Sequence, residues 1–185
     1  MTNTAYVLDK KSSKFTVRAF ASGMLSVLGH SPTLAIRDFS GEASFDPAAP
    51  ESASLKVQIR ANSLEVTDDI KSKDRKEMES TMNAQVLDSA KYPTITFEGA
   101  SMSASPLGEG RFRVNINGTL SLRGTTGKVP VTAQVALIGE MLRASGEFVL
   151  LQSAYGIPLV SVAGGALKLK DELRFTFDIV ARKQG

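Results

Sequence analysis

The chain offers few side chains able to make or break bonds. Its one histidine, His30, lies in Leu28-Gly29-His30-Ser31-Pro32, a turn-like segment leading into a strand. A single histidine cannot build a two-histidine metal centre, and no Ser-x-Gly nucleophile elbow accompanies it. His30 therefore has three readings: a turn residue bonded to backbone, a polar anchor for a ligand headgroup at a pocket mouth, or a general acid or base. Ser161-Val162-Ala163-Gly164-Gly165-Ala166 is glycine-rich but lacks the following lysine and serine of a phosphate loop, so it reads as a bend before the last strand. Asp68 and Asp69 are adjacent carboxylates at the start of a charged stretch. Acids at that position favour a helix dipole, and capping accounts for them better than paired acid–base work. With no cysteine, disulfides, thiolate chemistry and cysteine-ligated metals are excluded. The sequence assigns no catalytic residue, no metal ligand and no cofactor.

These residues must be held by something, and composition bounds what. A chain of 185 residues fits one domain, taken as residues 1–185. Hydrophobic residues at 42% and charged residues at 22% are those of a folded protein, which excludes disorder for the whole. The 22 basic and 19 acidic residues are spread along the chain, with no basic stripe interleaved with aromatics, so nucleic acid is not an expected partner. No run of about 18 apolar residues is present, and no membrane span is expected. Met1-Thr2-Asn3-Thr4-Ala5-Tyr6 enters a strand with no preceding basic and apolar leader. The expectation is a cytoplasmic protein as written, or a periplasmic one if a leader has been removed.

Alternation of apolar and polar residues dominates, the pattern of strands with one buried face. Phe15, Val17 and Ala19 alternate with Thr16 and Arg18, and Leu55, Val57 and Ile59 with Lys56 and Gln58. The longest register is Phe112, Val114, Ile116, Gly118, Leu120 and Leu122. Val131 to Leu137, Leu142 to Leu150 and Leu173 to Ile179 repeat it. Arg123-Gly124-Thr125-Thr126-Gly127-Lys128 is read as a turn between two long strands, and Ile138-Gly139-Glu140-Met141 as a tight hairpin. Eight or nine successive strands, each with one apolar face and no helices to cover it, imply an antiparallel barrel or sandwich. One segment departs. From Asp68 to Asp88 the apolar residues Ile70, Met78, Met82 and Val86 recur at spacings of eight, four and four, predicting an amphipathic helix or helical excursion between strands, with Thr67-Asp68 at its start. Lys71, Lys73, Arg75 and Lys76 interleave with Asp74, Glu77 and Glu79 as its solvated face.

Several segments carry a resemblance. Tyr6-Val7-Leu8-Asp9 with Ser13-Lys14-Phe15-Thr16-Val17, and Ile36-Arg37-Asp38-Phe39-Ser40-Gly41 running to Phe45-Asp46-Pro47, are two of them. The most specific runs from Asn62-Ser63-Leu64 to Val86-Leu87-Asp88-Ser89-Ala90-Lys91-Tyr92-Pro93-Thr94-Ile95-Thr96-Phe97. Gly118-Thr119-Leu120-Ser121-Leu122-Arg123-Gly124-Thr125-Thr126-Gly127-Lys128-Val129-Pro130-Val131 is the fourth. In this order they resemble the YceI-like family of lipocalin-like barrels over nearly the whole chain. The resemblance implies an all-β, eight-stranded antiparallel barrel with one short helical excursion, accommodating a polyisoprenoid or another long amphiphile. Family members often carry a histidine in the second strand, where this chain has Ala19.

An eight-stranded barrel is just wide enough to be filled by side chains or to hold one slender ligand. The inward, ligand-lining candidates are Val17, Leu34, Ile36, Val57, Phe97, Phe112, Val114, Phe148, Phe175 and Phe177, with His30 near the mouth. Ala133, Ala144 and Gly146 in the same registers are expected to leave space. The leading expectation is a non-enzymatic carrier, store or sensor of an isoprenoid or fatty chain. The alternative is a scaffold barrel with a filled core, and a third reading, an enzyme, rests on His30 alone. Phe20 and Val180 are candidates for a contact between two copies.

Overall fold

Alternation of this length leaves the backbone one economical solution, and a computed structural model shows it for the residues described: 4–23, 31–162, 164 and 166–184. The strands are β1 (Thr4–Leu8), β2 (Lys14–Ser22), β3 (Thr33–Ile36), β4 (Phe39–Phe45), β5 (Ser54–Arg60) and β6 (Leu64–Val66). They continue as β7 (Thr94–Gly108), β8 (Arg111–Leu122), β9 (Thr125–Ile138), β10 (Met141–Leu151), β11 (Ser161–Val162) and β12 (Leu167–Lys183). A ring of eight, β1-β4-β5-β7-β8-β9-β10-β12, closes because β12 returns to β1 through Leu8↔Ala181. Closure leaves the ring itself without a free edge, and every pairing is antiparallel.

The remaining strands extend this wall. β12 pairs with β1 near its C-terminal end and with β2 from Lys168 to Asp178; β3 then pairs with β2, and β6 with β3. So β1 and β2, β3 and β4, and β5 and β6 are the two halves of bent strands. Their breaks keep backbone groups bonded, as buried or half-buried polar groups require. The Ser63 hydroxyl accepts from Asp38 N at 3.0 Å while Arg37 N donates to Ser63 O at 3.0 Å. Asp9 N donates to Val180 O at 2.8 Å.

Two sequence expectations about turns are refined. The hairpin between β8 and β9 is two residues, Arg123 and Gly124, at φ +52° and +75°, and Thr125 already belongs to β9. Positive φ at both central positions is the twist-matched tight turn, so the expected six-residue turn is mostly strand. The hairpin at Ile138–Met141 is as expected, with Gly139 at φ +58°. β7 runs much further than the alternation at Ile95 and Phe97 indicates. It leaves β5 after Gly99 and continues on β8 with register shifts between Ala100 and Met102 and between Pro106 and Gly108. Bulges break the two-residue period, which hides that half of the strand from pattern reading. The β9–β10 ladder stops at Thr132↔Glu147, two residues short of Pro130, which has no amide hydrogen to donate.

The helical excursion is shorter than expected. α1 spans Ser72–Thr81 and passes into five residues of π-helix, Met82–Val86. Asp68 does not cap it: its Oδ2 accepts from Thr33 N at 2.8 Å, tying the approach to the start of β3. Arg75 Nη2 donates to Asp68 O, and Glu79 accepts from Val66 N at 2.9 Å, occupying the outer edge of β6. No helix among the described residues is long and apolar enough to cross a membrane.

Candidate ligand cavity

The inward registers do not fill the barrel. A cavity of about 430 Å³ runs along its axis, from Pro32, Val66, Gln152 and Leu169 at one end to Leu8, Phe45, Leu142 and Ala181 at the other. That volume falls in the range of small-molecule sites, roughly 300–1,000 Å³. Its wall is overwhelmingly apolar because each strand points one parity inward: in β8, Val114, Ile116, Leu120 and Leu122 are buried while Arg113, Asn115 and Asn117 face out.

Rings shape the lumen. Phe148 and Phe175, paired across β10 and β12, stack at 5.0 Å and 17°. Phe15 meets Phe39 edge-on at 4.7 Å and Phe175 at 6.4 Å. Glycines make the seats. A Cβ on Gly118 would lie 2.1 Å from the Phe97 ring, and one on Gly146 would lie 2.7 Å from that of Phe177. The expectation that Gly146 leaves free space is thereby corrected, since Phe177 occupies the room it makes. Ala133 and Ala144 do border the cavity.

Ser44 and Ser54 line the cavity beside Phe45, and a second set of polar groups stands at the helix end. Met78, Thr81, Met82 and Val86 line the cavity from α1 and the π-helix, and exposed Asp74 and Glu77 stand at its rim. Gln152 is the buried polar residue of the wall, 2% exposed among cavity-lining neighbours. Its Nε2 donates to Lys170 O at 2.9 Å, which leaves Oε1 without a hydrogen-bond partner among the described residues. The turn holding it is secured beside the cavity: Asp171 accepts from the Ser153 amide at 2.7 Å and the Ser153 hydroxyl at 2.5 Å, bonds that hold its carboxyl below the usual range. Burial pushes the Tyr155 phenol up, and its ring covers Gly127. Arg123 Nη1 donates to Gly156 O, closing the same corner.

Of the residues expected to line the interior, Val17, Leu34, Ile36, Val57, Phe97, Val114, Phe148, Phe175 and Phe177 border the cavity. Phe112 does not. It sits where β8 has run past β5, and it packs edge-to-face on Phe45 at 5.8 Å. His30 lies outside the described residues. Ala19 is buried and borders the lumen, and Phe20, expected to be exposed, is half-buried. Sequence reasoning missed Gln152, whose only signal was a polar residue continuing the inward parity of Phe148 and Leu150. No group of three or more His, Asp or Glu suited to a metal ion occurs among the described residues.

Comparison with known proteins agrees with this architecture. The UPF0312 protein of Azotobacter vinelandii is 34% identical over 136 residues, covering 73% of this chain and 62% of that protein. That of Ectopseudomonas mendocina is 33% identical over 136 residues, 73% of this chain and 63% of its own. The matched part is thus less than two thirds of the length of these relatives. Among solved structures, Burkholderia cenocepacia BcnA superposes with a TM-score of 0.72 at 21% identity, covering 94% of this chain and 98% of that one. A polyisoprenoid binding domain from Saccharophagus degradans, implicated in plant cell wall breakdown, gives 0.70 at 14% identity, covering 98% and 99%. At such identities the likeness is one of fold. The model of the YceI-like domain matches residues 6–181, and with a closed eight-stranded barrel built on those residues the chain belongs to the YceI-like family.

Proposed function

We propose that the barrel binds one long amphiphile, a polyisoprenoid or fatty chain, in its interior and carries, stores or senses it without changing it chemically. The observation that supports this is the axial cavity with its apolar wall. The polyisoprenoid-binding character of the Saccharophagus degradans neighbour supports the same ligand class. Burying a methylene is worth about 0.8 kcal/mol, so ten of them give about 8 kcal/mol before ordering costs. Micromolar affinity needs about 8.2 kcal/mol after those costs, so it asks for a chain longer than ten methylenes but no charged contact. In this reading the tail extends toward Leu142 and Ala181, and Val17, Leu34, Ile36, Val57, Phe97, Val114, Phe148, Phe175 and Phe177 supply affinity. Gln152 Oε1 accepts from a donor on the polar head at the α1 end.

A scaffold barrel with a solid core is the rival, and the cavity weighs against it. Native mass spectrometry after incubation with a polyprenol and with a long-chain fatty acid is the test. A one-to-one adduct is expected with at least one of the two probes. A clean unliganded mass with both, and no displacement of a fluorescent fatty chain, would defeat the proposal.

A further inference from the structure

Several outward cations are matched by carboxylates across strands: Lys56 with Glu98, Arg143 with Asp178, Arg182 with Asp9, and Lys10 and Arg60 with Asp38. One sector of the outer face is different. Arg18 of β2 stands directly opposite Arg174 of β12, like charge against like charge, an arrangement that weakens a sheet. Both guanidinium groups lie over the Phe20 ring, at 5.6 and 5.7 Å, and neither has an ion-pair partner among the described residues. Lys168 and Lys170 follow, exposed and likewise unpaired, at the start of β12. The carboxylates of this sector are Glu147, Asp171 and Glu172, against the four cations Arg18, Arg174, Lys168 and Lys170.

Large apolar side chains are exposed in the same sector. Val149 pairs with Arg174 and Leu151 with Glu172 across β10 and β12, and both are 49% exposed. Leu159, 46% exposed, precedes Val160, whose carbonyl accepts from Leu169 N. Each of these outward residues adjoins a residue of the cavity wall: Phe148, Leu150, Val160 and Leu169. The sector is therefore the outer surface of the α1 end of the cavity, beside the stretch where β9 and β10 share no ladder.

We propose that this face, with Val149 and Leu151 among unpaired Arg18, Arg174, Lys168 and Lys170, docks on an anionic lipid bilayer and sets the cavity mouth against it. The chemistry is complementary: cations attract anionic headgroups, and the aliphatic side chains enter the interface between head and tail. This rests on the lipid-binding reading for its purpose but not for its evidence.

The test is flotation of the purified full chain with vesicles of phosphatidylcholine alone or with a third phosphatidylglycerol. Binding to the anionic vesicles, weakened by raised salt, is expected. Each removed cation weakens surface attraction about fivefold, so R18Q with R174Q should lose about 25-fold. V149S with L151S should weaken binding separately, while K56Q leaves it unchanged. Equal binding to both vesicles, or an unaltered R18Q/R174Q variant, would overturn the proposal. So would equal affinity for a single-stranded DNA with no dependence on Val149 and Leu151. Uptake of a fluorescent fatty chain in vesicle-free solution is measured on the same variants. Vesicle binding without uptake would refute the interior-ligand reading alone, and uptake without vesicle binding would refute docking alone.

Discussion

Phe97 lies over Gly118, so close that a methyl group there would meet its Cζ at 2.1 Å and the Val129 carbonyl at 2.8 Å. The glycine is the seat on which the ring rests against the barrel wall. Gly118→Ala must push the ring into the lumen or spread β8 from β9. Overpacking of this kind costs about 1–3 kcal/mol. Denaturant unfolding should show that loss, and unchanged stability would mean that the ring has another place to go.

Ala144 borders the cavity, and its partner across the ladder is Ile179. Ala144→Phe is expected to place a ring in the lumen where the tail of a ligand would run. Losing burial for about three methylenes removes roughly 2 kcal/mol, or about thirtyfold in affinity for a long chain. Titration with fatty acids of increasing length should show the loss growing with chain length. An equal loss for short and long chains would point to distortion of the barrel instead.

Gln152 presents Oε1 without a hydrogen-bond partner among the described residues while Nε2 is held by Lys170 O. Gln152→Leu should therefore weaken a ligand with a hydroxyl or amide head by about fivefold to tenfold, and leave its ester, which cannot donate, nearly unaffected. Calorimetry with the matched pair separates the two outcomes.

Four aspartates titrate low in the folded barrel: Asp9 beside Arg182, Asp38 beside Lys10, Asp171 under Ser153, and Asp178 beside Arg143. Each is depressed from the ordinary 3.8, so the folded state holds its protons less tightly than the unfolded chain. The resulting stability is present at neutral pH and is lost as pH falls below about 5 and through the folded-state values. Thermal melts across that window should show Tm falling on acidification. Asp178→Asn should flatten the slope and remove the negative charge that helps hold Arg143 protonated more firmly than usual.

Much of the barrel was legible because its rule is local. In β8 the parity of Val114, Ile116, Leu120 and Leu122 follows from the side-chain period of a strand, whatever the partner strand. The same parity named nine of the residues that border the cavity. It also named Phe112, which packs inward on Phe45 but beyond the cavity wall, because periodicity tells which face a residue takes and not how far along the barrel the lumen extends. The second half of β7 escaped notice because bulges at Ala100 and Pro106 reset the period. The length of the turn at Arg123 and Gly124 depends on φ values that residue types only partly restrict.

The sequence by itself determined which side chains face inward, that strands would meet strands, and that little side-chain chemistry would be available to a catalyst. Those properties come from alternation and residue type, which neighbouring residues fix. Tertiary structure alone decided that Gly118 and Gly146 would be filled by Phe97 and Phe177 and that Gln152 would enter the wall. It also set Arg18 opposite Arg174. Each of these depends on the register between strands far apart in the chain, and register is a relation that emerges only when the barrel closes.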